Sequence, residues 1–182
     1  MSQDIIDRAT NLINQFDARV QAVSADGWSA AAPCDGWTAR DVVVHVSDNL
    51  SSIGNGLLGA ESHAVATDED IVAAWATAKQ TFFDAMSSSD LSQTMPGPMG
   101  PMPAADIIGR MICTDVLVHT WDLARASGGD EQLDAVAVTQ AYSGMKPMDQ
   151  MIRRPGVFGP KIDVAEDADE QTQFLSFLGR QV

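Results

Sequence analysis

Between Arg110 and Ser127 the chain carries neither glycine nor proline, and its apolar residues recur at helical rather than strand spacing. Taken at three- and four-residue steps, Ile108, Met111, Ile112, Asp115, Val116, His119 and Leu123 share one face. That face is apolar apart from Asp115 and His119, which lie one helical turn apart. A carboxylate turned towards a core is costly unless it is paired. Two arrangements would satisfy it. The pair can bond to each other as a buried Asp–His couple, or both can hold a metal ion, for which a carboxylate and a histidine at i, i+4 are well placed. Spacing alone does not choose, because acid-x-x-x-His is a common string.

The rest of the chain suits helices. Aromatic residues make up only 6% of the sequence, while alanine, valine, methionine and aspartate are plentiful. With 182 residues and 45% hydrophobic content, one well-filled core is expected, in a single domain over 1–182. A formal charge of −14 opposes binding to nucleic acid or to anionic membrane surfaces. No apolar run approaches the roughly 18 residues a membrane span needs. Met1-Ser2-Gln3-Asp4 opens polar and acidic, unlike a signal peptide, so a cytoplasmic location is expected. Cys34 and Cys113 form no CxxC pattern; a chain of this size does not need the one disulfide they could make, and Cys113 reads as a small core residue.

In chain order, Asp4 to about Val23 predicts a first amphipathic helix, through Ile5, Ile6, Ala9, Leu12, Ile13, Phe16 and Val20, stopped by Gly27. A loop from Ser29 to Trp37 follows. Thr38 with Asp41 three residues on forms a capping box, so Val42-Val43-Val44-His45-Val46 is read as a helix despite its strand-like valines. That helix is expected to end at Gly54 and Gly56, with a crossover loop over residues 54–66. His63 in this loop reads as exposed and without a role. Thr67, with Asp70, is expected to cap a third helix covering Ile71, Ala74, Trp75, Ala78, Phe82, Phe83 and Met86. Leu91 to Pro103 holds four prolines, three methionines and two glycines, which suits a short hairpin or an irregular lid. Pro103 is placed as the first residue of the helix that carries Asp115 and His119, and Gly128-Gly129 ends it. A fifth helix is expected from Asp130 to about Met151, kinked or ended by Pro147, with Val136 and Met148 among its apolar members. Beyond it come a turn at Arg153–Gly156, an extended segment over Phe158–Val164, and a short helix started by Asp167 or Asp169 and ended by Gly179.

Two runs carry a resemblance. Pro33-Cys34-Asp35-Gly36-Trp37-Thr38, leading into Asp41-Val42-Val43-Val44-His45-Val46, resembles the entry to the second helix of the DinB-like, mycothiol-dependent maleylpyruvate isomerase family. Asp115-Val116-Leu117-Val118-His119-Thr120-Trp121-Asp122-Leu123-Ala124 resembles that family's other signature, acid-x-x-x-His followed by Trp-Asp-Leu-Ala. The ending, from Phe158-Gly159-Pro160 to Phe177-Leu178-Gly179-Arg180, is similar to single-domain actinobacterial members. The resemblance implies an all-α, up-and-down four-helix bundle with extra short C-terminal elements. It also implies a divalent metal, zinc, held by His45, Asp115 and His119 with an open fourth position, and mycothiol as a thiol cosubstrate. Asp115 stands where these relatives commonly have Glu, one methylene longer. The isomerase itself carries a further C-terminal domain, so isomerase activity specifically is not implied.

The leading expectation is therefore a metal-dependent, thiol-using transferase or isomerase-like enzyme acting on a small electrophile. The alternatives are a non-catalytic metal- or ligand-binding bundle and a degenerate member whose three residues form only a hydrogen-bonded cluster. No residue is singled out as catalytic. Asp122 reads equally as an acceptor for a ligand histidine or as a solvated residue, and Trp37 and Trp121 read as packing residues. Arg110 and Arg125 read by default as surface salt-bridge partners, with an anionic substrate the alternative, and an exposed helix face would allow a homodimer, though no residue specifies one.

Overall fold

The computed structural model describes residues 2–97, 100–153 and 158–182. It is mostly helical, as expected. Four long helices make the bundle: α1 (Ser2–Ala22), α2 (Ala39–Leu58), α3 (Ile71–Ser88) and α5 (Cys113–Ser127). A short helix α4 (Ala104–Asp106) and a π-helical turn (Ile107–Ile112) run directly into α5. After it come α6 (Ala135–Met145), α7 (Asp149–Ile152) and α8 (Glu170–Phe177). Strands β1 (Thr94–Met95) and β2 (Met102–Pro103) pair antiparallel, the hairpin anticipated in the proline-rich stretch.

The capping box of α2 forms as read: Thr38 Oγ1 accepts from the Asp41 N–H, and the Asp41 carboxylate accepts from the Thr38 N–H at 2.8 Å. The helix does not end at Gly54, however. It continues to Leu58 and ends on Gly59, whose φ of +68° favours glycine. Gly54 is a packing residue: a Cβ there would lie 3.1 Å from the Phe82 Cα of α3. Likewise Asp70, not Thr67, caps α3, accepting from Val72 and Ala73 N–H.

Packing places the helices in the ring α1–α5–α2–α3, so α2 and α5 are neighbours. Contacts along their lengths fix the senses. Arg8 donates to the Gly109 carbonyl just before α5 and Arg19 reaches Asp130 just after it, so α1 and α5 run together. The start of α2 lies by His119 while Asn49, further on, lies by Asp115, so α2 runs opposite to α5. Arg40 bonds to Glu69, and Gly54 meets Phe82, so α3 runs with α2. The senses are up, down, down, up. The link between the two parallel helices must therefore run back along the bundle, about 30 Å for a 20-residue helix. Residues 59–70 do so, with the Val65 N–H on Asp48 Oδ1 at 2.8 Å; a dozen extended residues reach about 40 Å.

The core joins Ile13 and Phe16 of α1, Val42, Val46 and Leu50 of α2, Trp75 and Phe82 of α3, and Val116, Leu117 and Leu123 of α5. Phe174, Leu175 and Leu178 of the C-terminal segment also belong to it. Met111, expected on the buried face, is 38% exposed. The π turn explains this, because its extra residue per turn breaks the 3.6-residue phase between Ile108 and Asp115. Pro103 is the N-cap of α4 rather than its first helical residue. The fifth helix is shorter than expected: Asp134 caps it by accepting from the Ala137 N–H, so residues 130–134 lie outside it. Val136 then points outward, 67% exposed, and Pro147 sits in the 3-10 turn that ends the element. Asp169 caps α8 and Gly179 follows it in the left-handed region, as read. Phe158–Val164 forms no strand, though the Ile162 N–H bonds to the Ser176 carbonyl. Of the expected turn at Arg153–Gly156, residues 154–156 lie outside the described residues. No helix among the described residues is long and apolar enough to cross a membrane.

Candidate metal centre

Because α2 and α5 are adjacent, one turn of each can face the other. His45 and Asn49 are one turn apart on α2, and Asp115 and His119 one turn apart on α5. His45 Nε2 lies 3.2 Å from Asp115 Oδ1, and His119 Nε2 lies 3.5 Å from the same oxygen. The three candidate donor atoms fall within 4.8 Å of one another. All three residues singled out in the sequence therefore come together. The shorter side chain of Asp115 does not prevent this, since α2 is close enough for Oδ1 to stand between the two imidazoles.

The separations suit a ligand set and a hydrogen-bonded cluster alike. Two donors about 2.0–2.1 Å from a tetrahedral zinc lie roughly 3.3–3.4 Å apart, and 3.2 and 3.5 Å bracket that value. Burial grades across the group. The His119 side chain is 8% exposed, Asp115 26% and His45 34%, so solvent reaches the cluster at His45 and Asp115 while His119 is shut away.

His119 is held from behind. Its Nδ1 lies 2.9 Å from Asp122 Oδ2, which directs Nε2 towards Asp115. Asp122 is fully buried, so the reading of it as a solvated residue fails and its reading as a histidine acceptor holds. Its charge is met by Arg180, whose Nη2 donates to Oδ2 at 2.8 Å and Nε to Oδ1 at 3.3 Å. Arg180 received no role from the sequence; 58 residues separate it from Asp122 and no local pattern links them. Asn49 likewise receives no role from the sequence. Its Nδ2 donates to Asp115 Oδ2 at 3.0 Å and lies 3.1 Å from His45 Nε2.

A second group, Cys34, His119 and Asp122, also brings three donors within 4.8 Å. Arg180 already fills it with positive charge, its Nη2 3.5 Å from Cys34 Sγ, so a cation there would meet repulsion. Both cysteines are free thiols. Trp37, read as packing, lies at the opening: its ring stacks on His119 at 5.8 Å and tilts against His45 at 5.0 Å. Trp121 is fully buried, as expected. Arg110 pairs with Asp106, and Arg125 with Glu131, the salt-bridge reading of both.

Charge is strongly coupled here. Burial alone would raise the Asp115 pKa, but His119 and His45 outweigh it and hold the carboxyl far below the usual range. Burial alone would lower that of His119; the carboxylates of Asp115 and Asp122 overrule it and keep the imidazole well above an ordinary histidine. Without a cation, the ring keeps a proton as the charge that Asp115 requires.

The model of the mycothiol maleylpyruvate isomerase N-terminal domain matches residues 9–124, which take in both helices of this cluster. The chain belongs to that family. Uncharacterized proteins from two strains of Mycobacterium tuberculosis, CDC 1551 and H37Rv, are each 29% identical to it over 182 residues, covering 92% of either chain. Among solved structures, a mycothiol-dependent maleylpyruvate isomerase and its histidine-to-alanine mutant superpose with a TM-score of 0.66 at 14% identity, covering 86% of this chain and 74% of theirs. That likeness shows the fold.

Proposed function

We propose that the protein is a divalent-metal enzyme, with zinc the fitting ion, that uses a low-molecular-weight thiol of the mycothiol type on a small electrophile. The observation that carries this reading is the meeting of His45, Asp115 and His119, whose donor atoms lie within 4.8 Å of one another in a partly exposed cluster. Three protein donors leave a fourth position for an exchangeable ligand, the pattern of catalytic rather than structural zinc. When bound, such an ion would keep a thiol deprotonated at neutral pH.

The chain's own residues divide the remaining work. His45, Asp115 and His119 bind. One carboxylate and two neutral imidazoles leave a divalent site with a net positive charge, which favours an anionic thiolate over a neutral ligand. Asp122 orients His119, and Asn49 holds the second oxygen of Asp115. Trp37 covers the opening with an apolar ring that limits water. Transfer of the thiol and isomerisation through a reversible thiol adduct are both served by this arrangement.

One contact favours a second reading, a hydrogen-bonded cluster without metal: Asn49 Nδ2 lies 3.1 Å from His45 Nε2, where it would use the lone pair a metal needs. Zinc titration of the chelator-treated protein separates the two. Stoichiometric binding followed by thiol-dependent turnover of small unsaturated electrophiles supports the enzyme. Absence of zinc binding leaves the cluster reading.

A further inference from the structure

The family match ends at residue 124, yet the buried carboxylate behind His119 is completed by a residue far beyond it. Asp122 is fully buried and Arg180 is 11% exposed, so the pair is sheltered from solvent. Its two contacts, Nη2 to Oδ2 and Nε to Oδ1, form a fork on the carboxylate. The segment delivering Arg180 is anchored for that purpose. Phe174, Leu175 and Leu178 are buried in the core, and the Arg180 N–H bonds to the Leu175 carbonyl at 2.9 Å. Between them Gly179 turns the chain at φ +82°, where a Cβ would sit 2.9 Å from the Pro160 carbonyl oxygen. Only glycine fits that bend, and the bend aims Arg180 back at α5.

We infer that Arg180 is a positioning residue of the metal centre: by clamping Asp122 it fixes the ring of His119 with Nε2 facing His45 and Asp115, so the C-terminal segment completes the site. This rests on the metal reading above. A carboxylate gripped at both oxygens cannot swing away from Nδ1, and a histidine whose Nδ1–H is fixed presents one defined donor to an ion. Without Arg180, the fully buried Asp122 charge keeps only the His119 ring and the Cys34 thiol as partners, and relieves the deficit by moving, taking up a proton or admitting water. Each of these loosens His119.

The test is zinc affinity of the full chain by competition with a chromophoric chelator, together with the visible absorption of the cobalt(II)-loaded protein. Wild type is compared with Arg180→Met, Arg180→Lys, Gly179→Ala and Asp122→Asn. Outer partners of metal ligands typically contribute roughly 10- to 100-fold in affinity. Arg180→Met should lose about that much and shift the cobalt bands, with far-UV circular dichroism unchanged. Arg180→Lys keeps the charge without the fork and should fall between; it also serves if the methionine variant does not fold. Gly179→Ala alters no side chain at the site and should weaken zinc all the same. Combining Arg180→Met with Asp122→Asn should cost no more than the worse single change, because the two act on one ring. Folded Arg180 variants that bind zinc like wild type, with unmoved cobalt bands, overturn this inference and leave the metal reading standing. Wild type that binds no zinc overturns both.

Discussion

Asp115 is the residue on which the centre turns, since Oδ1 faces both imidazoles and Oδ2 accepts from Asn49. Asp115→Asn keeps the shape and removes the charge, so zinc affinity should fall by more than the roughly 10- to 100-fold of an outer partner; equilibrium competition measures it. Proton traffic follows from the same geometry. The raised pKa of His119 means that, without metal, its coupling to Asp115 stabilises the fold fully below about pH 6.5 and is lost as pH rises through the higher folded value. A histidine ligand must be neutral, so zinc has to displace that proton. Binding should release about one proton near neutral pH and tighten as pH rises, which calorimetry in two buffers of different ionisation enthalpy will read. Asp115 and His119 were legible as a pair because one turn of one helix brings them together. Arg180 was not, because its meeting with Asp122 is made only by the docking of α8 and the bend at Gly179.

At the scale of elements, a cap is a few residues of sequence acting on themselves, yet only some were legible: Asp70 and not Thr67 caps α3, and Asp134 starts α6. Thr38 with Asp41, and Asp169, behave as read. Thr38→Ala should cost about 0.5–2 kcal/mol, seen as a lower denaturation midpoint with unchanged cooperativity. Gly54 was misread because a glycine that ends a helix and one that admits a neighbouring helix look alike until the neighbour is known. Its two roles predict opposite outcomes. In a helix interior Gly→Ala gains about 1 kcal/mol of propensity, but here the new Cβ would press on the Phe82 backbone at 3.1 Å. Gly54→Ala should therefore lower the melting temperature, and an increase would show that α3 yields easily. The π turn was hidden for a similar reason: Arg8 of α1 takes the Gly109 carbonyl at 2.6 Å, a contact made in the fold, not in the local pattern.

Across the whole molecule, the ring order of the helices is what puts His45 beside α5, and that order depends on a crossover strap rather than on short turns. The ring is tied elsewhere by Asp17 of α1, which accepts from Trp75 Nε1 and Lys79 Nζ of α3, each at 2.7 Å. Burial alone would raise the Asp17 pKa, but Lys79 and Trp75 outweigh it and hold the carboxyl below its ordinary value. Its contribution is present above the unfolded value near pH 3.9 and lost as pH falls through the folded one. Asp17→Asn should thus melt lower than wild type at neutral pH, with the gap closing on acidification below about pH 4. The central claim is that α2 and α5 together hold a metal, and elemental analysis of untagged protein after zinc incubation and desalting tests it most directly, wild type beside His119→Ala. About one equivalent of zinc is expected in wild type, and its loss in the folded variant. Wild type that retains none, even from excess zinc, would contradict it and leave His45, Asp115 and His119 as a hydrogen-bonded cluster at the bundle's edge.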